Sequence, residues 1–372
     1  MAEGWGVIGC DPHKSTVTIA AVDGTGADLS VESFPNDSAG FERILAWLDG
    51  LGITVIRIGV EGSSTWGRHL AVRLGEVGYD VREVPPTRTT DRRRRRRRPK
   101  TDREDGLAVA RETLADQDLP PAKPTLEVSE AQSELAVICQ RRRSLVRRRQ
   151  RLLNEAEGLL NKLPPEMTRS LPNKVDRRLR RVTELDRSDL PIAPGLAEML
   201  TWLSELAEEL DRWEARIHEL EERIPSLLAA CGSTLTEEFG IGEVSAAELV
   251  AAVADPSRFK TEGAFARWCG VAPVAVSSGE GDGEPIRHRL DLLGNRDINR
   301  ILYTMSVTQA RHLPIAKEYL ARKRAEGKSK KEARRAHKRQ LAKKIIRRMW
   351  ADQRRLQQMG DAPTSPAFTN VA

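Results

Sequence analysis

Residues 5–22 read WGVIGCDPHKSTVTIAAV, two apolar runs separated by a short polar turn, and the reading of this stretch decides the fold. A run from Trp5 to Cys10 ending at Asp11, followed by a second at 16–22, is the pattern of buried strands joined by a turn. VESF at 31–34 supplies a third strand, so the chain opens on a β-meander. Outward from it, Phe41, Ile44, Leu45, Trp47 and Leu48 give 39–50 a helical apolar face. Residues 54–60, TVIRIGV, are a β-branched strand ending at Glu61, and a helix at 65–77 and a strand at 80–84 follow. The expected domain is α/β.

Asp11 and Glu61 each stand where a buried strand runs out, the place where open α/β sheets hold their ligands. A turn-forming Asp in DPHK is the plainer reading of Asp11. It is weaker for Glu61, because Gly62, Ser63 and Ser64 already supply the turn. Further on, 91–111 reads DRRRRRRRPKTDREDGLAVAR, with Arg92, Arg93, Arg94, Arg95, Arg96, Arg97 and Arg98 and then Lys100 running into Asp102 and Asp105. At spacing i, i+3 these two acids share one helix face. Acids in a first helical turn are common because the macrodipole offsets their repulsion. Two further acids at strand ends upstream are what that reading leaves over. Four carboxylates from two strand ends and one helix suit one or two Mg²⁺ ions, with Mn²⁺ as an alternative, acting on a phosphate held by the arginines. The element order matches an RNase H-like sheet.

The net charge of +7 is unevenly placed. Residues 317–355 hold 17 Lys/Arg against four Asp/Glu, so the rest of the chain is net acidic. Two basic blocks, the arginine run and this tail, point to a polyanion partner rather than to a uniformly solvated surface. Cys10, Cys139, Cys231 and Cys269 lie far apart with no CxxC, which excludes a zinc ribbon or a disulfide framework and suits a reducing compartment. No signal peptide or membrane span is read, so a cytoplasmic, nucleoid-associated protein with no membrane partner is expected.

Past 113, the proline-rich 114–126 reads as a linker closing a first domain at 1–113. Residues 127–230 read as a helical assembly region. One helix at 127–163 carries Ile138, Leu145, Leu152 and Leu159 every seven residues and arginines elsewhere; a second at 197–224 carries Leu203, Leu206, Leu210, Trp213, Ile217, Leu220 and Ile224. That spacing is a coiled-coil seam, and Arg on one helix against Glu on the other favours an antiparallel hairpin or an intersubunit pairing. Its arginines tracking a nucleic-acid backbone remains the other reading. In 231–316, Gly240-Ile241-Gly242 before an Ala-rich helix resembles a helix-hairpin-helix phosphate contact, though short turns of this kind are common. Ser277-Ser278-Gly279 lies in a glycine-rich loop beside Arg287 and Arg289, surroundings suited to a phosphoryl-transfer nucleophile, but on residues alone an ordinary loop is the better reading. The basic tail, 317–358, reads as a helix with Ile345, Ile346, Met349 and Trp350 on an apolar patch, and 359–372 as a disordered end.

The ordered set GVIGCDPHKSTVTIAAVD, VIRIGVEGSSTWGRHLAVRLGEVGYDV, KTDREDGLAVAR, FGIGEVSAAELVAAVADPSRFKTEGAFARWCGVAPVAVSSG and RHRLDLLGNRDINRILY resembles the DEDD-type insertion-sequence transposases related to the Piv invertase, over roughly 5–311. That resemblance implies an RNase H/RuvC-like domain with the acid tetrad Asp11, Glu61, Asp102 and Asp105, a coiled coil, and a C-terminal transposase domain supplying a nucleophilic serine. By the family's Ser-Gly pattern this is Ser278, with Ser277 the alternative. It further implies a recombinase acting on double-stranded target and donor DNA, guided by a structured bridge RNA, and assembled as dimers pairing into a tetramer. Gly106 departs from the family's usual alanine, and the seven-arginine run exceeds its usual basic linker. Other readings of the same residues are a RuvC-like metal-dependent nuclease with an idle serine, and a non-enzymatic RNA- or DNA-binding protein.

Overall fold

The sheet is assembled from the runs that the alternation marks out. In the computed structural model, which describes residues 4–85, 101–117, 119–122, 128–169, 171–185, 193–275, 288–290 and 294–360, the chain opens with β1 (Trp5–Pro12), β2 (Thr16–Asp23) and β3 (Asp28–Pro35). Then come α1 (Ser38–Gly50), β4 (Thr54–Glu61), α2 (Arg68–Glu76), β5 (Val81–Val84) and α3 (Asp102–Ala115). The sheet order is β3-β2-β1-β4-β5, antiparallel through the meander and parallel from β1 to β4 to β5.

Because side chains alternate across a strand, β1 divides its residues between two layers. Ile8 and Cys10 pack with Ile44, Leu48, Leu70 and Leu74 from α1 and α2, and Ile58 and Val60 of β4 join them. Val7 faces the other way, onto Leu107 and Ala110 of α3. The result is a three-layer α/β/α unit in which α3 alone, among the described elements, covers the second face.

The helix expected at 65–77 begins at Arg68; the residues before it form a turn in which Thr65 and Gly67 donate backbone hydrogen bonds to the Gly62 carbonyl. The expected linker also differs. Helix α3 runs to Ala115, and Pro120 and Ala122 exchange backbone hydrogen bonds with Glu83 and Val81 of β5, with Leu119 and Ala122 buried. Two buried apolar side chains and an unsatisfied sheet edge hold down a stretch whose prolines suggest a free linker.

The second helical region comprises α4 (Glu130–Leu160), α5 (Pro165–Thr168), α6 (Val175–Thr183), α7 (Pro194–Glu222) and α8 (Ile224–Ala230). Helices α4 and α7 pair antiparallel, with Arg149 donating to Glu214 at 2.7 Å, Arg142 to Glu221 at 2.6 Å, and Glu134 accepting from Arg223. Ile138, Leu152 and Leu159 are buried as the seven-residue spacing requires, as are Leu203, Leu206, Leu210 and Leu220. Leu145 is half-buried, and Ile224 belongs to α8 rather than to the expected 197–224 helix, since α7 ends at Glu222 and Pro225 sits in the first turn of the next helix. Helix α6 packs against both long helices and Met167 of α5 joins the same cluster, so the core is built from four helices rather than two.

Beyond lie α9 (Glu243–Val253), a 3-10 turn (Pro256–Arg258), α10 (Glu262–Trp268), the two-stranded β6 (Pro273–Ala275) and β7 (His288–Leu290), α11 (Arg296–His312), α12 (Pro314–Ala325) and α13 (Lys330–Gly360). The basic tail is thus two helices rather than one, broken at Gly327, whose φ of +84° suits glycine, with Ser329 and Glu332 capping α13 reciprocally. By contact density the chain divides into one unit of 1–128, 237–240 and 253–372 and another of 129–236 and 241–252. No helix among the described residues is long and apolar enough to cross a membrane.

Candidate active site

Two glycines set the distance between α3 and the sheet. A Cβ on Gly9 would lie 2.0 Å from the Ala110 backbone nitrogen, and one on Gly59 would lie 1.8 Å from Thr113 Oγ1. Only glycine leaves room for this approach on the two central parallel strands. The same contacts fix direction. Since Ala110 sits over Gly9 and Gly106 over Thr18, which pairs with Asp11, α3 runs antiparallel to β1. Its N-terminal turn therefore comes to the C-terminal ends of β1 and β4.

That edge gathers the four acids. Cys10 pairs with Val60 in parallel register, so Asp11 and Glu61 occupy the next step on adjacent strands. Each is two residues beyond a glycine beneath α3, so both point to the α3 face. Asp102, Glu104 and Asp105 fill the first turn of α3, capped by Thr101, whose hydroxyl accepts from the Glu104 backbone nitrogen. The macrodipole there favours negative charge. Asp11 and Asp105 are buried, Glu61 is half-buried, and Asp102 is exposed.

His13, which sequence reasoning treated only as part of a turn, ties two of them together. Its Nε2 lies 3.5 Å from Asp11 Oδ2 and 3.8 Å from Asp102 Oδ1. The signal was available: a histidine two residues past a strand-end acid. Below the edge, burial and then the Asp11 charge push the Cys10 thiol far above its ordinary range, so it stays protonated and inert. The Ser63 hydroxyl, beside Glu61, is buried with no hydrogen-bond partner. Among the described residues no group of three or more His, Cys, Asp or Glu side chains is arranged as a metal cluster. The donor chemistry at the edge, carboxylate oxygens on a rigid sheet and a helix terminus, nevertheless fits a hard divalent cation.

Of the other expected site residues, Arg92–Arg98, Lys100, Ser277, Ser278 and Arg287 lie outside the described residues. Arg289 is in β7, whose pairing with β6 (Ala275 with His288) joins the two ends of the serine segment. Gly294 packs against Gly270 so closely that a Cβ would meet its nitrogen at 2.0 Å, and Asn295 caps α11 while Asn299 donates to the Cys269 and Gly270 carbonyls. This ties the chain leaving that segment to the chain entering it. Gly240, with φ of +89°, and Gly242 precede α9 as expected.

A family model for DEDD transposases of the IS110 type, described as "Transposase", matches residues 8–165, the span holding all four acids. A second, "Transposase IS116/IS110/IS902 family", matches 232–321. Both models describe transposases of the IS110 type, and the chain is similar to that family over 8–165 and 232–321. It is 31% identical to a "Probable family 20 transposase" of Pseudomonas aeruginosa over 58% of this chain and 59% of the relative. It is 26% identical to an IS110 protein of Streptomyces coelicolor over 63% and 66%, and 25% identical to an IS116 protein of Streptomyces clavuligerus over 86% and 88%. The first two alignments thus span less than two thirds of those relatives.

Proposed function

We propose that this chain cuts and rejoins DNA as an IS110-type transposase of an insertion sequence, using the edge formed by Asp11, Glu61, Asp102 and Asp105. The observation that carries the reading is the convergence of two strand-end acids and the first turn of α3, with His13 touching Asp11 and Asp102. The strand order β3-β2-β1-β4-β5 supports an RNase H/RuvC-like reading of the N-terminal domain. The four carboxylates are the residues that would hold Mg²⁺ or Mn²⁺, whose charge would stabilise the phosphate oxygens of the scissile bond. Asp11 and Asp105 are fixed by burial, whereas the exposed Asp102 is free to adjust as substrate arrives.

In the same reading Ser278, or Ser277, is the nucleophile. Its Oγ bonds to a DNA phosphorus as the bond from that phosphorus to the leaving strand oxygen breaks; the hydroxyl proton passes to solvent and the leaving oxygen takes one from solvent, departing as a strand-end hydroxyl. The resulting phosphoserine is reversed by the hydroxyl of the strand to be joined, so no external energy source is required. Arg287, Arg289, Arg92–Arg98 and Lys100 neutralise phosphates, and Gly240 and Gly242 let backbone amides approach one. Tetrad and serine lie far apart in the chain. A site completed between subunits follows, with the α4–α7 pair as a coiled-coil assembly element and dimers joining into a tetramer. A structured guide RNA pairing with target and donor DNA would choose the sites, leaving the protein to read backbone and shape.

The test is denaturing gel analysis of a trapped reaction. A DNA strand linked to protein, lost in Ser278→Ala and Ser277→Ala tested separately and together, is expected; unimpaired cutting by the double variant would point to a metal-activated water and an idle serine. Intact DNA processing in Asp11→Asn and Asp102→Asn would remove the acid edge from the chemistry altogether.

A further inference from the structure

The turn after Glu61 carries an exposed tryptophan on a rigid mount. Trp66 is 55% exposed. Its backbone is nonetheless held closely: Gly67 is buried, and a Cβ there would lie 2.7 Å from Val60 Cγ1 and 2.9 Å from Pro12 Cγ. Thr65, Gly67 and Arg68 continue the turn's backbone hydrogen bonds. The Asn36 side-chain amide then donates to two carbonyls at once, Trp66 at 3.0 Å and His13 at 2.7 Å. One amide group thus joins the tryptophan to the histidine that touches Asp11 and Asp102. Single exposed apolar residues are ordinary on protein surfaces, and Trp5 and Trp202 are exposed as well. Neither of those is tied to the acid edge. Arg68 and His69, also exposed, follow at the start of α2, and among the described residues Arg68 has no ion-pair partner.

A large aromatic held in water by a well-bonded turn, next to a cation and beside a phosphate-cutting edge, has the composition of a base-stacking platform. Stacking on an indole needs a base whose face is free, and it is indifferent to which base is offered. We infer that Trp66 stacks on an unpaired base of the DNA next to the cut site, with Arg68 on the adjoining phosphate, and so positions the strand against the acid edge. The inference rests on the reading of that edge as the cutting site. It accommodates the low aromatic content of 4%, since one placed ring orients a strand without reading its sequence.

The test uses the full-length protein and a splayed-arm DNA duplex of mixed sequence with 2-aminopurine at one unpaired position, at low salt. Wild type is expected to quench the probe, Trp66→Phe to retain most of the quench, and Trp66→Ala to lose it together with about five-fold or more in affinity, as for one stacked base. Affinity for a fully paired duplex should stay within about two-fold. Quenching by Trp66→Ala equal to wild type, no quenching by wild type, or equal loss of affinity for paired and splayed DNA would each overturn the assignment. Asp11→Asn separates the two readings, because it should abolish cutting while leaving the quench intact.

Discussion

Arg258 donates to Glu83 at 3.1 Å, joining the 3-10 turn after α9 to the edge strand β5 across 175 residues of sequence. The guanidinium is 1% exposed, donates also to the Pro121 carbonyl at 3.0 Å, and lies 5.2 Å from the centroid of the Phe259 ring and 5.9 Å from that of Trp268. Burial lowers its pKa, and the Glu83 charge opposes the shift. Removing one partner of a buried pair strands the other, at about 3–5 kcal/mol. Glu83 is partly exposed and rehydrates, so Arg258→Ala is expected at the lower end of that range. Arg258→Met, which keeps the stem against the rings, should cost less. Urea unfolding of both checks the order; equal stability of Arg258→Ala and wild type would show that the pair holds nothing.

Gly9→Ala tests the route by which the fold builds the acid edge. The added methyl meets backbone atoms of α3 rather than a flexible side chain, so the helix must lift. Overpacking of this kind costs about 1–3 kcal/mol or more. Because Asp102 and Asp105 ride on α3, DNA cutting should fall by more than the fraction unfolded, measured by parallel thermal melts and activity assays. Full activity in a folded Gly9→Ala protein would separate the helix position from the site.

Ser63→Ala removes a buried hydroxyl that has no partner. Leaving such a group unsatisfied costs about 1–3 kcal/mol, so the variant should be as stable as wild type or up to about 1 kcal/mol more so. A stable variant with impaired DNA cutting would mean that the hydroxyl finds its partner in substrate.

The strands and the α3 acids were legible because both rest on local patterns: period-two alternation, and acids at a strand end or in a first helical turn. The five strands of the N-terminal sheet fall within three residues of the expected bounds, whereas β6 and β7 carry no such pattern. What failed to show were contacts between distant residues. Arg348 with Glu237 at 2.6 Å and Glu238 at 3.2 Å, Lys343 with Glu262 at 3.4 Å, and Arg347 with Glu262 turn one face of the basic tail inward, so its charge is only in part available to a polyanion. Leu119 and Ala122 are too few apolar positions to mark an edge segment among prolines, and DPH shows a histidine close to the strand-end acid but not the helix some ninety residues on that it also reaches. Ser278 rests on the family's Ser-Gly pattern, since a serine in a glycine-rich loop carries no physical mark of a nucleophile.

His337 makes stability depend on pH. It is buried on α13 with Nδ1 2.9 Å from Ser306 Oγ and its ring 5.6 Å from Tyr319, and burial, then the Arg334 charge, lower its pKa. The adjacent Lys338 is lowered by burial and by the charges of Arg335 and Arg334. A base whose folded pKa lies below the unfolded value resists protonation in the fold, so stability falls as pH drops below about 6.5 and stops falling below the folded pKa. Chemical denaturation from pH 8 to 5 should show this decline, and His337→Gln should flatten it. An unchanged slope in the variant would place the pH dependence elsewhere.

Six of the seven arginines of α4 separate into two sets with different expected roles. Arg142 and Arg149 turn inward to Glu221 and Glu214, whereas Arg141, Arg147, Arg148 and Arg151 are exposed and have no ion-pair partner among the described residues. Arg147 and Arg151 at i, i+4, and Arg148 and Arg151 at i, i+3, repel one another, a small cost that a bound phosphate backbone would reverse. Replacing Arg147, Arg148 and Arg151 by Gln should therefore leave unfolding stability within about 0.5 kcal/mol or raise it slightly. If the face contacts duplex DNA, the slope of log affinity against log salt should become shallower by about 0.9 for each lost phosphate contact. Arg142→Gln with Arg149→Gln should do the reverse, lowering stability and leaving the salt slope unchanged. Fluorescence anisotropy across a salt series, beside urea unfolding, distinguishes the two, and an unchanged slope in the triple variant would make the outer arginines merely solvated.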